Sequence, residues 1–435
     1  MNKDLGIIIC NFNKVEYLKG CLETLYKSSF EKLSYDVIVV DNASTDESVE
    51  FVKKNYPSII LLQNETNTGG SGGFDRGIQY VMKQNYTYVA LLDNDILLES
   101  DTILNLIKYI KENPKVGVVG SKICTMDNPE ILQEMGSFID FSEKFNIETP
   151  LKGHKDDDSL PEVASCDYVP ACCLITTNEV LNKVGSFNIK HFIYWDDMDW
   201  CTRVKRAGYE IHAINNSRVF HKMGSSNNTN TFGIYYFERN RILFFLKYLS
   251  NKKLQNFIDK TCDWLMLLIF FSNLKGIYPK AISVLLSLDD LLLLNLGRQD
   301  ERIFPINKQK TLFELYTINN TEKIMLIYED VKSLNIIKNY LTHSGIEHVN
   351  ENKIFDKTFL NDYSRIIIIS SHLLEIKNII ENEKIIYIDD YFNSCNSTQL
   401  KNLINSYEEY KKIFTNIFKP TIVNKLYLIR KNLKA

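Results

Sequence analysis

Between Tyr194 and Trp200 the chain reads YWDDMDW, which crowds two of its three tryptophans against three carboxylates. Like charges this close repel, so a purely structural segment gains nothing obvious from them. A displacement at a sugar carbon, by contrast, needs an acceptor hydroxyl made nucleophilic. A carboxylate within hydrogen-bond reach does this as general base, and a neighbouring like charge raises its pKa usefully. Asp197 and Asp196 are the candidates. The flat apolar faces of Trp195 and Trp200 suit packing on sugar rings, hence acceptor binding. The competing reading is a capped helix start running into CTRVKRAG, which explains the acids in part but not the tryptophans.

VALLDNDILL (89–98) offers a second acidic pair. Residues two apart on a strand face one side, so Asp93 and Asp95 at a strand terminus converge. Two carboxylates there hold Mg²⁺ or Mn²⁺, whose shell is completed by water and substrate phosphates. The alternative is an acidic turn capping the helix that ESDTILNLIKYI begins. His221, in VFHKMG, supplies a neutral imidazole as a further metal ligand, or is a satisfied structural histidine. Imidazole beside carboxylates tilts the choice from Mg²⁺ toward Mn²⁺.

NETNTGGSGGFDRGI (64–78) carries Gly69, Gly70, Gly72 and Gly73 around one serine. Such a run permits positive φ and close approach of backbone to a ligand, and the following helix offers free N–H groups to an anion. Arg76 adds a positive charge. The spacing is neither of the familiar phosphate-loop patterns, and a flexible turn is the plain alternative. Asp41, in VVDNAST, either accepts from a base N–H or ribose hydroxyls, or caps the succeeding helix.

These residues fall where an alternating α/β pattern would put them. LGIIICNF, YDVIVVDNAS, IILLQNE and YTYVALLDND read as buried strands. The segments between them have helical spacing, as at Val15, Leu18, Cys21, Leu22 and Leu25. Right-handed crossovers and a largely parallel sheet covered on both faces follow. Each strand ends in polar residues: Asn11 and Asn13, Asp41 and Asn42, Asn64 and Asn67, Asp93 and Asp95. Ligands bind beyond the strand C-terminal ends in such sheets. From 115 to 235 the pattern loosens into short strands and loops, and 235–300 reads as mostly helical. Periodicity fades over 301–320, and a second, smaller α/β pattern follows.

The chain has 435 residues, 45% of them apolar and 24% charged, which predicts two or three globular domains. A formal charge of −3 argues against nucleic acid as a partner. Nine cysteines without a C-x-x-C pair suit a reducing cytosol better than disulfides or zinc. The chain runs directly into a strand-like segment, a start that argues against a secretory signal. WLMLLIFFSNLKGIY (264–278) and AISVLLSLDDLLLLNLG (281–297) are too short or too broken to span a bilayer. They suit buried or partner-facing helices, or contact with a membrane surface.

Taken in order, CNFNK, VVDNASTDES, NTGGSGGFDRG, LLDND, WDDMDW, VFHKMG and YYFERNR resemble the GT-A glycosyltransferases of family 2, the inverting, nucleotide-sugar-dependent class. The glycine-rich form is similar to bacterial rhamnosyltransferases and galactofuranosyltransferases. The resemblance covers residues 5–250. It implies a GT-A fold over 1–235; the chain's own pattern beyond it reads as a helical extension over 236–305 and a small α/β domain over 306–435, and the resemblance does not cover 310–435. It also implies a donor site of Asn11, Asp41, Asn67, the four glycines, Arg76, Asp93 and Asn94. Asp93 and Asp95 would hold Mn²⁺ or Mg²⁺ on the diphosphate, with His221 as third ligand. Asp197 matches the catalytic base, with Asp196 and Trp195 shaping the acceptor site. Where the family usually has TYN after its first strand, this chain has CNFN. The implied partners are a UDP- or dTDP-linked sugar and a growing cell-surface glycan, lipid-linked at the inner membrane face.

Two other classes compete. A sugar nucleotidyltransferase would carry its glycine-rich loop directly after the first strand, where this chain reads NFNKVEYL. A silent nucleotide-sugar or carbohydrate binding protein would have no need of Asp93, Asp95, Asp197 and His221 together. The C-terminal α/β unit reads as a structural or interaction domain, serving homo-oligomer assembly or a partner enzyme.

Overall fold

The computed structural model describes residues 3–222, 230–274, 277–306, 322–328, 334–343, 345–351, 359–376, 378–389 and 394–434. The chain divides into two compact units, neither continuous in sequence. The first comprises 1–260, 283–305 and 426–435; the second comprises 261–282 and 306–425. Most of the stretch of fading periodicity, 307–321, lies outside the described residues, as do Met223 and Gly224 of VFHKMG.

The first unit is built on a 10-stranded sheet. Its strands are β1 (Leu5–Asn11), β2 (Tyr35–Asp41), β3 (Ile60–Gln63), β4 (Tyr88–Asp93), β5 (Ile96–Leu98), β6 (Val116–Thr125) and β7 (Leu132–Glu134), then, after the small hairpin of β8 (Phe138–Ile139) and β9 (Ile147–Glu148), β10 (Val163–Ser165), β11 (Cys173–Thr177) and β12 (Glu210–His221). β1 runs parallel to both β2 and β4 at the centre of the parallel portion, and its Ile7, Ile8 and Ile9 are wholly buried. Such apolar runs are what a sheet covered on both faces requires. Register then decides the site. Asn11 stands opposite Asp41, and Cys10 opposite Asp93, so the polar tips lie side by side.

The loosened pattern after 115 conceals two long strands, β6 and β12, paired in parallel. β11 lies antiparallel between β4 and β6. The sheet is thus mixed: parallel over its first four strands, then interrupted by antiparallel β11, with β5, β7 and β10 also pairing antiparallel.

Helices α1 (Val15–Tyr26), α2 (Ser48–Asn55), α3 (Gly69–Gln84) and α4 (Thr102–Glu112) follow the early strands, as the spacing predicts. α5 (Asn178–Val184) and α6 (Asp196–Arg206) precede β12. α7 (Phe232–Tyr248), α8 (Asn251–Leu274) and α9 (Tyr278–Leu292) account for the helical stretch. Asp290, which interrupts the apolar run of α9, is fully buried and accepts from Tyr235 Oη of α7 at 2.5 Å. No described helix is long and apolar enough to cross a membrane.

The second unit has its own sheet, in the order β14 (His348–Glu351), β13 (Ile324–Tyr328), β15 (Arg365–Ser370), β16 (Ile385–Asp389), β17 (Ser394–Asn396). All pairs are parallel except the last. α10 (Leu334–His343), the short α11 (Phe359–Asp362), α12 (Ser397–Ile413) and α13 (Lys419–Lys434) complete the chain. Phe270, from the apolar end of α8, is 6% exposed and packs with Met325, Ile366 and Tyr387. That apolar stretch is therefore core of this unit.

Candidate active site

The acidic pair of LLDND converges by a turn rather than by strand alternation. Asp93 ends β4, and Asp95 sits in the tight turn before β5. β5 pairs antiparallel with the end of β12, and the Lys222 N–H donates to the Asp95 carbonyl at 3.1 Å. This brings His221 to the acids: its Nε2 lies 3.2 Å from Asp95 Oδ1. His221 Nδ1 lies 2.9 Å from Gln133 Oε1, an acceptor, so Nδ1 carries the hydrogen. Nε2 then faces a carboxylate oxygen, an arrangement that needs either a second proton or a cation held by both.

The electrostatics run the same way. Burial pushes the Asp93 carboxyl up to about 7, with Asp95 and Asp196 adding repulsion and His221 opposing it. Burial pulls the His221 imidazole down, but Asp95 and Asp93 outweigh it and the net shift is upward. A divalent cation would relieve both. Ligand atoms of Asp93, Cys172 and His221 lie within 4.8 Å of one another. Atoms spaced on a shell of about 2.0–2.3 Å have separations of this order. The donor set fits a divalent metal.

Asp196 and Asp197 open α6 beside this group. Asp196 accepts from Ser71 Oγ at 2.7 Å. Burial raises its carboxyl, against the pull of Ser71 and His191. Asp197 is held well above the ordinary carboxylate range, by burial first and by Asp196 second. A carboxylate so destabilised is a stronger base when ionised. Asp199, the third acid, plays no part in the site. It is 1% exposed and accepts from Lys247 at 2.7 Å and Tyr248 Oη at 2.8 Å, with Arg203 Nε at 3.2 Å, which ties α6 to α7.

The tryptophans correct the reading that their faces bind an acceptor. Both are wholly buried. Trp195 packs among Phe237, Phe244 and Phe245, and Trp200 stacks on Phe187 and donates its indole N–H to the Gly185 carbonyl. They are the core beneath the acids, which explains the crowding: large rings anchor the helix start that carries Asp196 and Asp197.

That anchoring is needed because the segment before α6 is unusual. Phe192, Tyr194 and Trp195 have φ of 69°, 63° and 64°, a region that costs an L-residue roughly 1–2 kcal/mol. YYFERNR supplies the clamp. Asn240 Nδ2 lies 2.8–2.9 Å from the carbonyls of His191, Ile193 and Tyr194. Arg239 reaches the carbonyls of His191 at 2.9 Å and Gly297 at 2.8 Å. Arg241 pairs with Glu238 at 2.7 Å, away from the acids.

The glycine-rich segment is corrected in part. Side chains at Gly72 and Gly73 would collide with Thr68 and Cys10, so these glycines allow close packing within the protein rather than around a ligand. Gly69 has φ +73° and abuts Phe192. The Ser71 N–H, at the start of α3, is taken by the Phe192 carbonyl at 3.2 Å, so this helix end is not free for an anion. Gly70 alone of the four has open space around it. Asn67 caps the Gly69 N–H at 2.8 Å, and Arg76 is exposed and bonded to Asn64 at 2.8 Å.

Asn11 and Asp41 are also corrected. Asn11 is fully buried, donates to Asp41 at 3.0 Å and accepts from Asn94 at 2.7 Å. Asp41 is 2% exposed, and its second oxygen accepts the Ser44 N–H at 3.0 Å. In this structure they order the strand tips and hold Asn94 in place rather than facing a base. Asn42 acts likewise, bonding Gly69, Asn64 and Thr68.

Residues 6–169 match the profile of glycosyl transferase family 2. These residues form a glycosyl transferase family 2 domain. The family 2 match includes Asp93 and Asp95 and ends before Asp196, Asp197 and His221. Among curated relatives, a poly(ribitol-phosphate) beta-glucosyltransferase of Bacillus spizizenii is 28% identical over 25% of this chain and 17% of its own length. The low-salt glycan biosynthesis hexosyltransferase Agl10 of Haloferax volcanii is 22% identical over 48% of this chain and 64% of its own. The galactofuranosyltransferase GlfT2 of Mycobacterium tuberculosis is 24% identical over 43% of this chain and 31% of its own. The chain thus spans less than two thirds of each of these relatives. The sheet order and the family 2 domain together define a GT-A fold.

Several residues of the site escaped the sequence reading. Glu134 of β7 is half-buried near Asp197, and its carboxyl is pushed up to about 7 by desolvation, against hydrogen bonds from Ser137 and Tyr168. Gln133, Cys172 and His191 lack any motif of their own. Ser71 and Asn240 stood in segments already marked, the glycine-rich stretch and YYFERNR, with no role attached.

Proposed function

We propose that this protein is a metal-dependent inverting glycosyltransferase. It moves a sugar, galactofuranose or rhamnose, from a UDP- or dTDP-linked donor to a hydroxyl of a growing cell-surface glycan. The observation that carries the reading is the meeting of two carboxylate groups at the sheet edge: Asp93 and Asp95 with His221, and Asp196 with Asp197. Asp93, Asp95 and His221 would hold Mn²⁺ or Mg²⁺, which when bound stabilises negative charge on a diphosphate leaving group. Asp197 takes the proton of the acceptor hydroxyl as its oxygen attacks the anomeric carbon from the face opposite the diphosphate. Ser71 and the Asn240 clamp fix where Asp196 and Asp197 stand. One displacement inverts the anomeric centre and leaves no covalent intermediate.

The names of the relatives support a cell-surface glycan as product, and the galactofuranosyltransferase supports that donor. A lipid-linked acceptor at the inner membrane face goes with this reading. The exposed apolar residues Ile282, Leu285, Leu293 and Leu294 support peripheral contact there.

The test is calorimetric binding of UDP-galactofuranose, UDP-glucose, UDP-galactose and dTDP-rhamnose, with and without Mn²⁺. Metal-dependent binding of one donor, lost in Asp95→Ala, is the expected result. Binding indifferent to metal and to Asp95 would overturn the reading in favour of a silent binding protein.

A further inference from the structure

We propose that the thiol of Cys172 is a ligand of the divalent cation at this site, making it a mixed oxygen, nitrogen and sulfur centre. The inference rests on the metal-dependent reading above and deepens it, because it concerns which metals the site accepts.

Cys172 stands immediately before β11, the antiparallel neighbour of β4. Its carbonyl accepts the Asp93 N–H at 3.0 Å, so backbone pairing fixes the thiol beside the first acid. The ligand atoms of Asp93, Cys172 and His221 fall within one 4.8 Å group. Cys172 is 4% exposed. Among the described residues its thiol makes no hydrogen bond, whereas those of Cys10, Cys21, Cys124, Cys166, Cys173 and Cys201 each take part in one. The neighbouring Cys173 shows the contrast: its sulfur accepts from Ser121 Oγ at 3.1 Å. A buried sulfur without a partner, set against a carboxylate and an imidazole, is what a ligand lacks only its metal to explain.

A thiol binds a metal as thiolate, releasing its proton to solvent as the metal–sulfur bond forms. Thiolate is a soft donor that favours Zn²⁺ and Co²⁺ over Mg²⁺, a hard cation that prefers oxygen. The sequence motif alone, two acids and a histidine, points to Mn²⁺ or Mg²⁺. Zn²⁺ and Co²⁺ bind above Mn²⁺ at most nitrogen and oxygen sites already; Cys172 as ligand widens that gap and places Mg²⁺ last.

The experiment is a Co²⁺ titration of the chelator-treated full chain, followed by absorption. The expected spectrum has visible d–d bands and a near-ultraviolet thiolate-to-cobalt charge-transfer band. In Cys172→Ser the charge-transfer band should vanish and cobalt affinity should fall at least about tenfold. Cys173→Ser should keep both bands. Cobalt bound with d–d bands and no charge-transfer band, yet lost in Asp95→Asn, would overturn the thiol and leave the metal-dependent reading standing. A charge-transfer band that survives Cys172→Ser would also overturn it. Absence of cobalt binding, or binding indifferent to Asp95→Asn, would overturn both. If Cys172→Ser fails to fold, Cys172→Ala takes its place, and a wild-type cobalt spectrum without the charge-transfer band overturns the thiol by itself.

Discussion

Ser71 Oγ donates to the Asp196 carboxylate at 2.7 Å, joining two residues 125 positions apart in the chain. One lies inside the glycine-rich turn and the other opens the acidic helix. The bond makes these two motifs a single device, since any shift of α3 is felt at the carboxylate pair. It also opposes the effect of burial on Asp196. Ser71→Ala should therefore raise the Asp196 pKa further. Asp196 would then keep its proton to higher pH and repel Asp197 less, so the acid limb of the pH–rate profile, set by Asp197 as base, should move down, as measured with any accepted donor and acceptor.

Asp197→Asn removes the proposed base while keeping shape and hydrogen-bonding capacity. Turnover should fall by about 10²–10⁴-fold, the usual contribution of a positioned base. Donor affinity by calorimetry should hold. A variant with near-normal turnover would remove the assignment. Product of retained configuration, read by NMR of the anomeric proton, would remove the inverting mechanism.

Asn240→Ala deprives three carbonyls of their shared donor. An unsatisfied buried polar group costs about 1–3 kcal/mol, and the freed segment is already in left-handed backbone. A loss of about 3 kcal/mol by urea unfolding is expected, with activity falling further because Asp196 and Asp197 follow directly.

Gly69→Ala tests the other side of that segment. At φ +73° a side chain is strained, and its Cβ would meet the Phe192 carbonyl. The variant should lose about 1–2 kcal/mol on backbone grounds, with the collision adding to it. Gly70→Ala, with open space around it, should lose little. Equal losses at the two positions would refute the packing argument.

Glu134 gives a prediction in pH. Its folded pKa is raised from 4.5 to about 7, chiefly by burial. Between these values the folded state holds a proton the unfolded state has released. Stability from this group is therefore present below about 4.5 and is lost as pH rises through about 7. Glu134→Gln escapes that loss. The difference in Tm, variant minus parent, should be more positive at pH 8 than at pH 4.5.

Much of the architecture follows from the chain itself. Apolar runs such as LGIIIC and VALL can only be strands buried on both faces, and the helical spacing between them makes the parallel portion of the sheet unavoidable. Polar residues at the four strand tips likewise had to gather on one edge, because parallel strands all end on the same side. The acids of LLDND and WDDMDW and the imidazole of His221 were legible as chemistry for the same reason: their types are costly to place anywhere without a task or a partner.

Tertiary structure decided what each of those residues touches. Trp195 and Trp200 look like ligand platforms in a linear chain and are core, because burial depends on what packs over them, α7 on Trp195 and Phe187 on Trp200. Asn11 and Asp41 sit at strand tips as expected but spend their polar atoms on each other, on Ser44 and on Asn94. Asp93 and Asp95 converge through a turn pinned by β12, a partner more than a hundred residues away. Ser71, Glu134, Cys172 and Asn240 carry no signal of a role in sequence, since a lone polar residue is common. Long-range packing gives Ser71 the Asp196 carboxylate, sets Cys172 beside Asp93 through the pairing of β11 with β4, and brings Asn240 of α7 to three carbonyls. Local sequence fixes which atoms can do chemistry; long-range register fixes which of them face one another.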